Sequence, residues 1–121
     1  MSKQQREKLE VETMAFQKLQ KEYSTLIETR QKLESQLQEN ELVDKEFKLL
    51  KDDARVYKLI GPVLVQQDKP EAVANVDKRL EFIRGEMKRV EQRVEQLAKE
   101  QEKKSVEIFK LQMDIQAISQ A

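Results

Sequence analysis

Residues 76–118 read VDKRLEFIRGEMKRVEQRVEQLAKEQEKKSVEIFKLQMDIQAI, and within them thirteen positions recur at spacings that alternate between four and three residues. Eleven of these positions are apolar, and the exceptions are Gln101 and Lys104. A repeat of 3.5 residues lines up along one side of an α-helix, and such an apolar line leaves water by packing against a second helix. The thirteen positions, which we call the seam, are Val76, Leu80, Ile83, Met87, Val90, Val94, Leu97, Gln101, Lys104, Ile108, Leu111, Ile115 and Ile118. The pattern predicts a long helix in a coiled coil.

The partner helix is predicted upstream, in a first arm over residues 3–51 that contains neither Gly nor Pro. Its apolar positions keep the same register and form the seam of the first arm: Leu9, Phe16, Leu19, Tyr23, Leu26, Leu33, Leu37 and Phe47. Polar residues interrupt this register at Glu12, Arg30, Asn40 and Asp44. Such residues usually fix helix register at a cost in stability. Alternatively, Asn40 and Asp44 lie where two-helix packing gives way to another contact.

Between the arms, residues 54–68 predict a β-hairpin. Val56–Ile60 and Val63–Gln67 are rich in β-branched and aromatic residues and flank the turn dipeptide Gly61-Pro62. Two strands alone are marginal in water, and apolar strand edges invite pairing with another chain. We therefore expect the hairpin to be an assembly region that joins strands of other subunits.

The second arm is predicted over residues 69–120. Asp68-Lys69-Pro70-Glu71 offers a cap, an early Pro and an acidic residue three positions after the cap, which together indicate a helix start. The predicted fold class is mainly α, a long antiparallel helical coiled-coil hairpin with a single β-hairpin at its bend. Residues 1–121 then form one domain.

Composition excludes several classes of function. The mean hydropathy is -0.80, and 38% of residues are charged against 38% hydrophobic, which is typical of long helices rather than of a compact core. Lys plus Arg equals Asp plus Glu at 23 each, so we expect no nucleic-acid or membrane partner. The chain lacks cysteine, and its first residues lack the apolar run of a signal peptide. We expect a cytoplasmic protein.

The sequence also lacks the residue types that most often take part in catalysis. The chain has no His and no Cys, which are the commonest general base, metal ligand and nucleophile. The acidic runs lie on predicted solvated rods, and the two glycines, Gly61 and Gly85, stand too far apart for a phosphate loop. We expect no enzyme activity, no catalytic or metal residue and no cofactor.

Apolar residues that lie outside the seam are concentrated in two places. Because a helix face toward water is normally polar, such groups of apolar residues indicate interaction surfaces. Near the bend they are Leu42, Val43, Leu49, Leu50 and Phe82. Near the far end they are the tip residues, Val11, Met14, Val106, Phe109 and Met113. We expect the first group to be buried in assembly and the tip residues to bind non-native clients. The alternative is that they are isolated exposed residues near fraying helix ends.

Three blocks resemble a known family: residues 30–40 (RQKLESQLQEN), 56–65 (VYKLIGPVLV) and 75–83 (NVDKRLEFI). They are similar to prefoldin, and most closely to its β-type subunits, which carry a single hairpin. The resemblance implies a hexamer of two α-type and four β-type subunits, in which the hairpins form barrels. It also implies that the coiled-coil tips capture non-native proteins of the actin and tubulin class. These clients would pass to a group II chaperonin without ATP use by the chain.

The hairpin residues expected to mediate oligomerisation are Val56, Tyr57, Leu59, Ile60, Val63, Leu64 and Val65. Two other functions remain open from the residues alone. A structural coiled-coil scaffold or dimerisation protein would share the architecture and bind no clients. A nucleic-acid-binding helical arm would need a basic face, whereas Lys and Arg alternate with Glu along both arms.

Overall fold

Two long helices flank one β-hairpin in the order α1 (Lys3–Leu49), β1 (Val56–Ile60), β2 (Val63–Gln67) and α2 (Lys69–Gln120). The structure is a computed structural model that describes residues 2–120, apart from the side chain of Ser119. This arrangement confirms the predicted fold class. Met1 and Ala121, which belong to the predicted single domain, lie outside the described residues. No described helix is long and apolar enough to span a membrane.

Both helices begin at recognisable signals. At α1, Ser2 Oγ accepts a hydrogen bond from the Gln5 amide, and Gln5 Oε1 accepts one from the Ser2 amide, each at 3.1 Å. This reciprocal capping box satisfies amides that a helix start otherwise leaves unpaired. At α2 the Ala72 amide donates to the Asp68 carbonyl at 2.9 Å, and Glu71 lies in the first turn. A carboxylate there is favoured by the positive end of the helix dipole.

α1 ends at Leu49, two residues before the predicted limit of the first arm. The Leu50 amide donates to the Phe47 carbonyl at 3.2 Å, and the Ala54 amide donates to the Lys51 carbonyl at 3.0 Å. These short-range bonds replace the α-helical pattern with turns. Lys69 Nζ also donates to the Lys51 carbonyl, at 3.1 Å, so the start of α2 holds this connection.

The hairpin has the predicted strand bounds and a two-residue turn. The strands are antiparallel, and their register pairs Val56 with Gln67 and Ile60 with Val63. Gly61 has a φ of 56°, which an L side chain rarely adopts, and Pro62 follows it. Glycine at the first central position with positive φ is typical of the type II′ turn, whose twist suits a hairpin.

The described residues fall into two compact units. The central unit is Arg30–Arg89 and contains the hairpin. Its buried side chains all come from α2, and seam residues of α1 that lie half-buried in the same unit include Leu33, Leu37 and Phe47. The buried side chains are Ala72, Val76, Leu80 and Ile83. Three of these four belong to the predicted seam.

The terminal unit comprises the described residues up to Thr29 and from Val90 onward. Val90 and Leu97 of the seam are buried there. Glu12 pairs with Lys104 at 2.7 Å and Glu22 with Arg93 at 3.0 Å, so residue numbers fall along α2 as they rise along α1. The two helices are therefore antiparallel in this unit. Ile118, the last seam position, is 56% exposed and lines a recess with Gln4 and Lys8 of α1, so it lies beside α1 without being buried against it.

Candidate functional site

The hairpin residues form an exposed apolar surface in the central unit. Only Val56 is half-buried, whereas Leu59 is 67% and Leu64 is 66% exposed. The other exposed members are Tyr57, Ile60, Val63 and Val65. Because side chains alternate across a strand, both faces of the sheet carry exposed apolar groups. The sheet has two strands, so each has one edge that no described strand covers.

The register shows which main-chain groups point outward at these edges. In a two-residue hairpin the pair beside the turn, here Ile60 and Val63, exchanges hydrogen bonds, and bonded pairs then alternate with non-bonded ones. Leu59 and Leu64 form the next, non-bonded pair. Their amides and carbonyls therefore point away from the partner strand. A strand of another chain could therefore bind this hairpin through main-chain hydrogen bonds as well as through apolar side chains.

Other apolar residues predicted to lie near the bend are also exposed in the central unit. Phe82 is 65% exposed, and the remaining members are Leu42, Val43, Leu49 and Leu50. A recess beside the hairpin is lined in part by Phe47, Val56 and Val76. The central unit thus exposes apolar groups on helix and sheet together.

The tip residues all belong to the terminal unit and are all exposed, with Val11 and Met14 at 62% each and Phe109 at 61%. Val106, Phe109 and Met113 follow one another at three and four residues, so they share one face of α2. That face lies opposite the seam, because Val106 is two residues from both Lys104 and Ile108. The apolar stripe therefore points away from α1.

A polar cluster occupies the seam in the same unit. Lys104 Nζ donates to Glu12 Oε2 at 2.7 Å and also lies 3.5 Å from Glu107 Oε2. The hydrogen bond to Lys104 lowers the pKa of Glu12 below its usual range. The same bond raises the pKa of Lys104. Glu12 of α1 and Lys104 of α2 thus pair across the two helices. Such a contact between helices is what a polar residue needs in order to fix the register.

Asn40 and Asp44 behave differently. Asn40 Nδ2 donates to the Gln36 carbonyl at 2.7 Å, and Asp44 pairs with Lys48 at 3.1 Å, so both are satisfied within α1. Neither forms a hydrogen bond or ion pair with α2 among the described residues. Their hydrogen bonds and ion pairs therefore lend no support to the interpretation that they fix the register.

A groove that the sequence did not indicate lies in the terminal unit. Ala15 and Leu19 contribute its apolar lining, and Lys18 and Lys103 are among its charged residues. The remaining lining residues are Glu22, Glu100, Lys104 and Glu107. The only feature of the sequence that could have indicated this groove is Ala15. Its small side chain, next to Phe16 in the seam of α1, leaves space on the helix surface. Among residues 2–120, no group of three or more His, Cys, Asp or Glu could hold a metal ion.

Comparisons with known proteins agree with this architecture. A model of the prefoldin subunit family matches residues 3–115. The chain is 50% identical to Prefoldin subunit 6 of Arabidopsis thaliana over 84% of this chain and 78% of that protein. It is 49% identical to the Saccharomyces cerevisiae Prefoldin subunit 6 over 79% of this chain and 84% of that protein. The human Prefoldin subunit 6 is 43% identical over 90% of this chain and 84% of its own length.

Solved structures share the fold. The prefoldin beta subunit from Thermococcus strain KS-1 superimposes with a TM-score of 0.76 at 23% identity, over 84% of this chain and 89% of that chain. The beta2 subunit from the same strain gives a TM-score of 0.64 at 25% identity, over 76% of this chain and 98% of that chain. The resemblance to β-type subunits is confirmed, and the three relatives named above are all subunit 6. The chain belongs to the prefoldin subunit family.

Proposed function

We propose that this chain is a subunit of a cytosolic prefoldin hexamer of two α-type and four β-type subunits, which captures non-native proteins and passes them to a group II chaperonin. Clients of the actin and tubulin class are the expected cargo. The hairpin residues mediate assembly, and the tip residues contact the client. The proposal includes no catalytic step and no use of ATP by this chain.

Assembly follows from what the hairpin exposes. Two strands with apolar side chains on both faces and open edges are only marginally stable in water. Strands of neighbouring subunits would pair with the outward main-chain groups of Leu59 and Leu64 and cover the apolar faces. This requirement for both hydrogen bonds and apolar contact favours partners that have hairpins of their own.

Capture rests on the exposure of the tip residues. Non-native proteins expose apolar groups, and burying them against Phe109 and its neighbours removes both from water. Each tip has a small apolar area, so a single contact is weak, but several tips acting on one client raise the overall affinity. Because each contact is weak, the chaperonin can displace the tips from the client and so take the client over. Met14 and Met113 add flexible thioethers that adapt to varied client surfaces.

The test of capture uses the chain reconstituted with its partner subunits and denatured actin as the client. A Val106→Ser, Phe109→Ser and Met113→Ser variant should assemble normally and suppress actin aggregation at least about tenfold less well. Ala98→Ser, an exposed residue of α2 in the same unit, is the matched control. Full suppression by the triple variant would instead favour a coiled-coil scaffold that binds no client.

The test of assembly is hydrogen exchange measured with and without the partner subunits. The amides of Leu59 and Leu64 should gain protection on assembly, because they point outward from the hairpin. The amides of Lys58 and Val65, which pair with each other in the isolated hairpin, serve as internal controls. Unchanged exchange at both Leu59 and Leu64 would contradict strand addition at either edge.

A further inference from the structure

Two recesses of the central unit meet at Arg79. The first is the recess beside the hairpin, whose lining also includes Lys58 and Arg79. The second lies on the two helices, and we call it the helix recess. Its lining residues are Gln36, Asn40, Lys78, Arg79, Phe82 and Ile83. Because Arg79 lines both recesses, the helix recess continues the surface that the hairpin presents.

The lining of these two recesses is basic. It contains Lys58, Lys78 and Arg79 and no Asp or Glu. Asp77 and Glu81, the acidic residues of α2 that are closest to them in sequence, line neither recess. Within residues 2–120, none of the three basic side chains forms an ion pair or a side-chain hydrogen bond. A carboxylate from outside the chain would therefore meet positive charge that no internal pair neutralises.

Phe82 adds an exposed apolar group to the helix recess. It is 65% exposed, whereas Ile83 beside it is buried. Lys78 precedes Phe82 by four residues, so the two side chains share one face of α2. The apolar stems of Lys78 and Arg79 extend the surface of Phe82 while their charged ends stay in water. A segment with an apolar side chain next to a carboxylate complements this recess in both respects.

The central unit also carries a segment with the complementary properties. Leu49 is 72% and Leu50 is 38% exposed where α1 ends, and the exposed Asp52 and Asp53 follow them. Neither carboxylate forms an ion pair or a side-chain hydrogen bond with any described residue. The chain thus exposes a basic-apolar recess and an acidic-apolar segment without pairing the two. Contact between two different surfaces of successive subunits is the arrangement from which closed rings are built.

We propose that the helix recess binds an acidic-apolar segment of the neighbouring subunit in the assembly, of the kind that residues 49–53 form in this chain. An apolar side chain of that segment packs against Phe82, and its carboxylate lies near Lys78 and Arg79. The inference rests on the proposed function, because it adds a helix surface to assembly through the hairpin. Charge complementarity contributes more to the choice of partner than to affinity, so this contact discriminates between possible neighbours.

The expected effect of the charges is small because Lys78 and Arg79 are exposed. An exposed ion pair changes affinity by about fivefold at most, so Lys78→Gln with Arg79→Gln should weaken assembly by about threefold to tenfold. This difference should disappear in about 1 M salt, where the screening length falls to about 3 Å. Phe82→Ser should weaken assembly by about tenfold or more at either salt concentration, because burial of a Phe side chain contributes more than an exposed ion pair.

The first experiment measures the mass of the reconstituted complex over a dilution series, for the wild-type chain and for these variants. The control is Lys32→Gln with Lys88→Gln, which removes the same amount of charge from exposed residues of the central unit that line neither recess. It should leave the dilution series unchanged. If the control weakens assembly as much as Lys78→Gln with Arg79→Gln, the overall charge is responsible and the inference is overturned.

The second experiment identifies the occupant by photo-cross-linking. A photoreactive benzoylphenylalanine replaces either Gln36, which lines the helix recess, or Gln38, an exposed residue of α1 that lines neither recess. The complex is irradiated with denatured actin present, and the linked peptides are identified by mass spectrometry. Position 36 should link to a segment of another subunit that contains both apolar and acidic residues, and position 38 should not. Linkage of position 36 to actin, or to no other chain, would overturn the inference.

The outcomes separate this inference from the proposed function. If the complex assembles but position 36 links to no other subunit, the helix recess has no role in assembly, and assembly through the hairpin stands. If the chain does not assemble with its partner subunits under any condition, the proposed function fails and the inference fails with it.

Discussion

The central and terminal units both expose apolar side chains, but they present them on different backbones. In the central unit Leu59 and Leu64 stand on strands whose outer edges have no described partner. In the terminal unit Phe109 and Met113 stand on a helix that satisfies its own main-chain hydrogen bonds. A strand edge demands a partner of defined geometry, whereas a helix face accepts any apolar group that fits. The difference favours fixed assembly through one unit and adaptable binding through the other.

The interiors of the two units differ as well. The central unit buries Ala72, Val76, Leu80 and Ile83, whereas the terminal unit buries only Val90 and Leu97. The terminal unit also places the Glu12–Lys104 ion pair in its seam. A thinner apolar interior with a polar contact provides less stabilisation. We therefore expect helix opening to be easier in the terminal unit than in the central unit.

The largest effect is expected from removing the apolar cross-strand pair of the hairpin. Leu59→Thr with Leu64→Thr should preserve the strands, because Thr is favourable in sheets and pairs well across them. Loss of two leucines that assembly is proposed to bury should cost about 3–6 kcal/mol of assembly free energy, or at least about a hundredfold in affinity. The measurement is the mass of the reconstituted complex. Phe109→Thr in the terminal unit should leave that mass unchanged. Dissociation of the complex by this control variant would contradict the proposal that assembly depends on the central unit and client binding on the terminal unit.

The next largest effect is expected from the terminal interior. Leu97 is 0% exposed, so Leu97→Ala should lower the free energy of local opening by about 2–4 kcal/mol. Hydrogen exchange of the amides around residue 97, in the assembled complex, measures this opening. Val106→Ala, at a residue that is 46% exposed in the same helix, should change it by less than about 0.5 kcal/mol. Equal effects at the two positions would show that the seam contributes little to this unit.

A smaller effect is expected from the polar seam pair, and it should depend on pH. The lowered pKa of Glu12 means that its contribution is present at neutral pH and is lost as the pH falls below about 4.3, through the lowered value. The raised pKa of Lys104 means that its contribution is lost as the pH rises above about 10.4. Hydrogen exchange in the terminal unit should report both losses.

Variants sharpen this test. Lys104→Leu alone leaves Glu12 half-buried without its partner and should destabilise the unit. Glu12→Leu with Lys104→Leu completes the apolar seam and should be more stable than either single variant. Arg84→Gln removes an exposed pair with Glu41 in the central unit and should have no measurable effect. A double variant less stable than the wild-type chain would show that the ion pair stabilises the seam more than an apolar pair does.

The regular features of this fold were predictable from the sequence because they follow from periodicity and turn chemistry. The seam spacing located the buried face of α2, and Gly61-Pro62 located the turn. The Glu12–Lys104 pair was not predictable, because it requires the alignment of two helices whose offset no local pattern fixes. The groove beside Ala15 was missed for a related reason: its lining residues come from both helices and meet only once the helices pack.

The smallest effect concerns the two glycines. Gly85 lies within α2, and a Cβ added there would meet only Arg89 Nη2 at 3.8 Å. Gly85→Ala should therefore stabilise the helix by about 1 kcal/mol, as judged by hydrogen exchange. Gly61→Ala is the contrasting control, because its φ of 56° strains an L residue and should destabilise the hairpin. If Gly85→Ala stabilises the helix yet weakens assembly, a neighbouring subunit must approach α2 closely at this point. The central unit would then use a helix face as well as its strand edges to bind its neighbours.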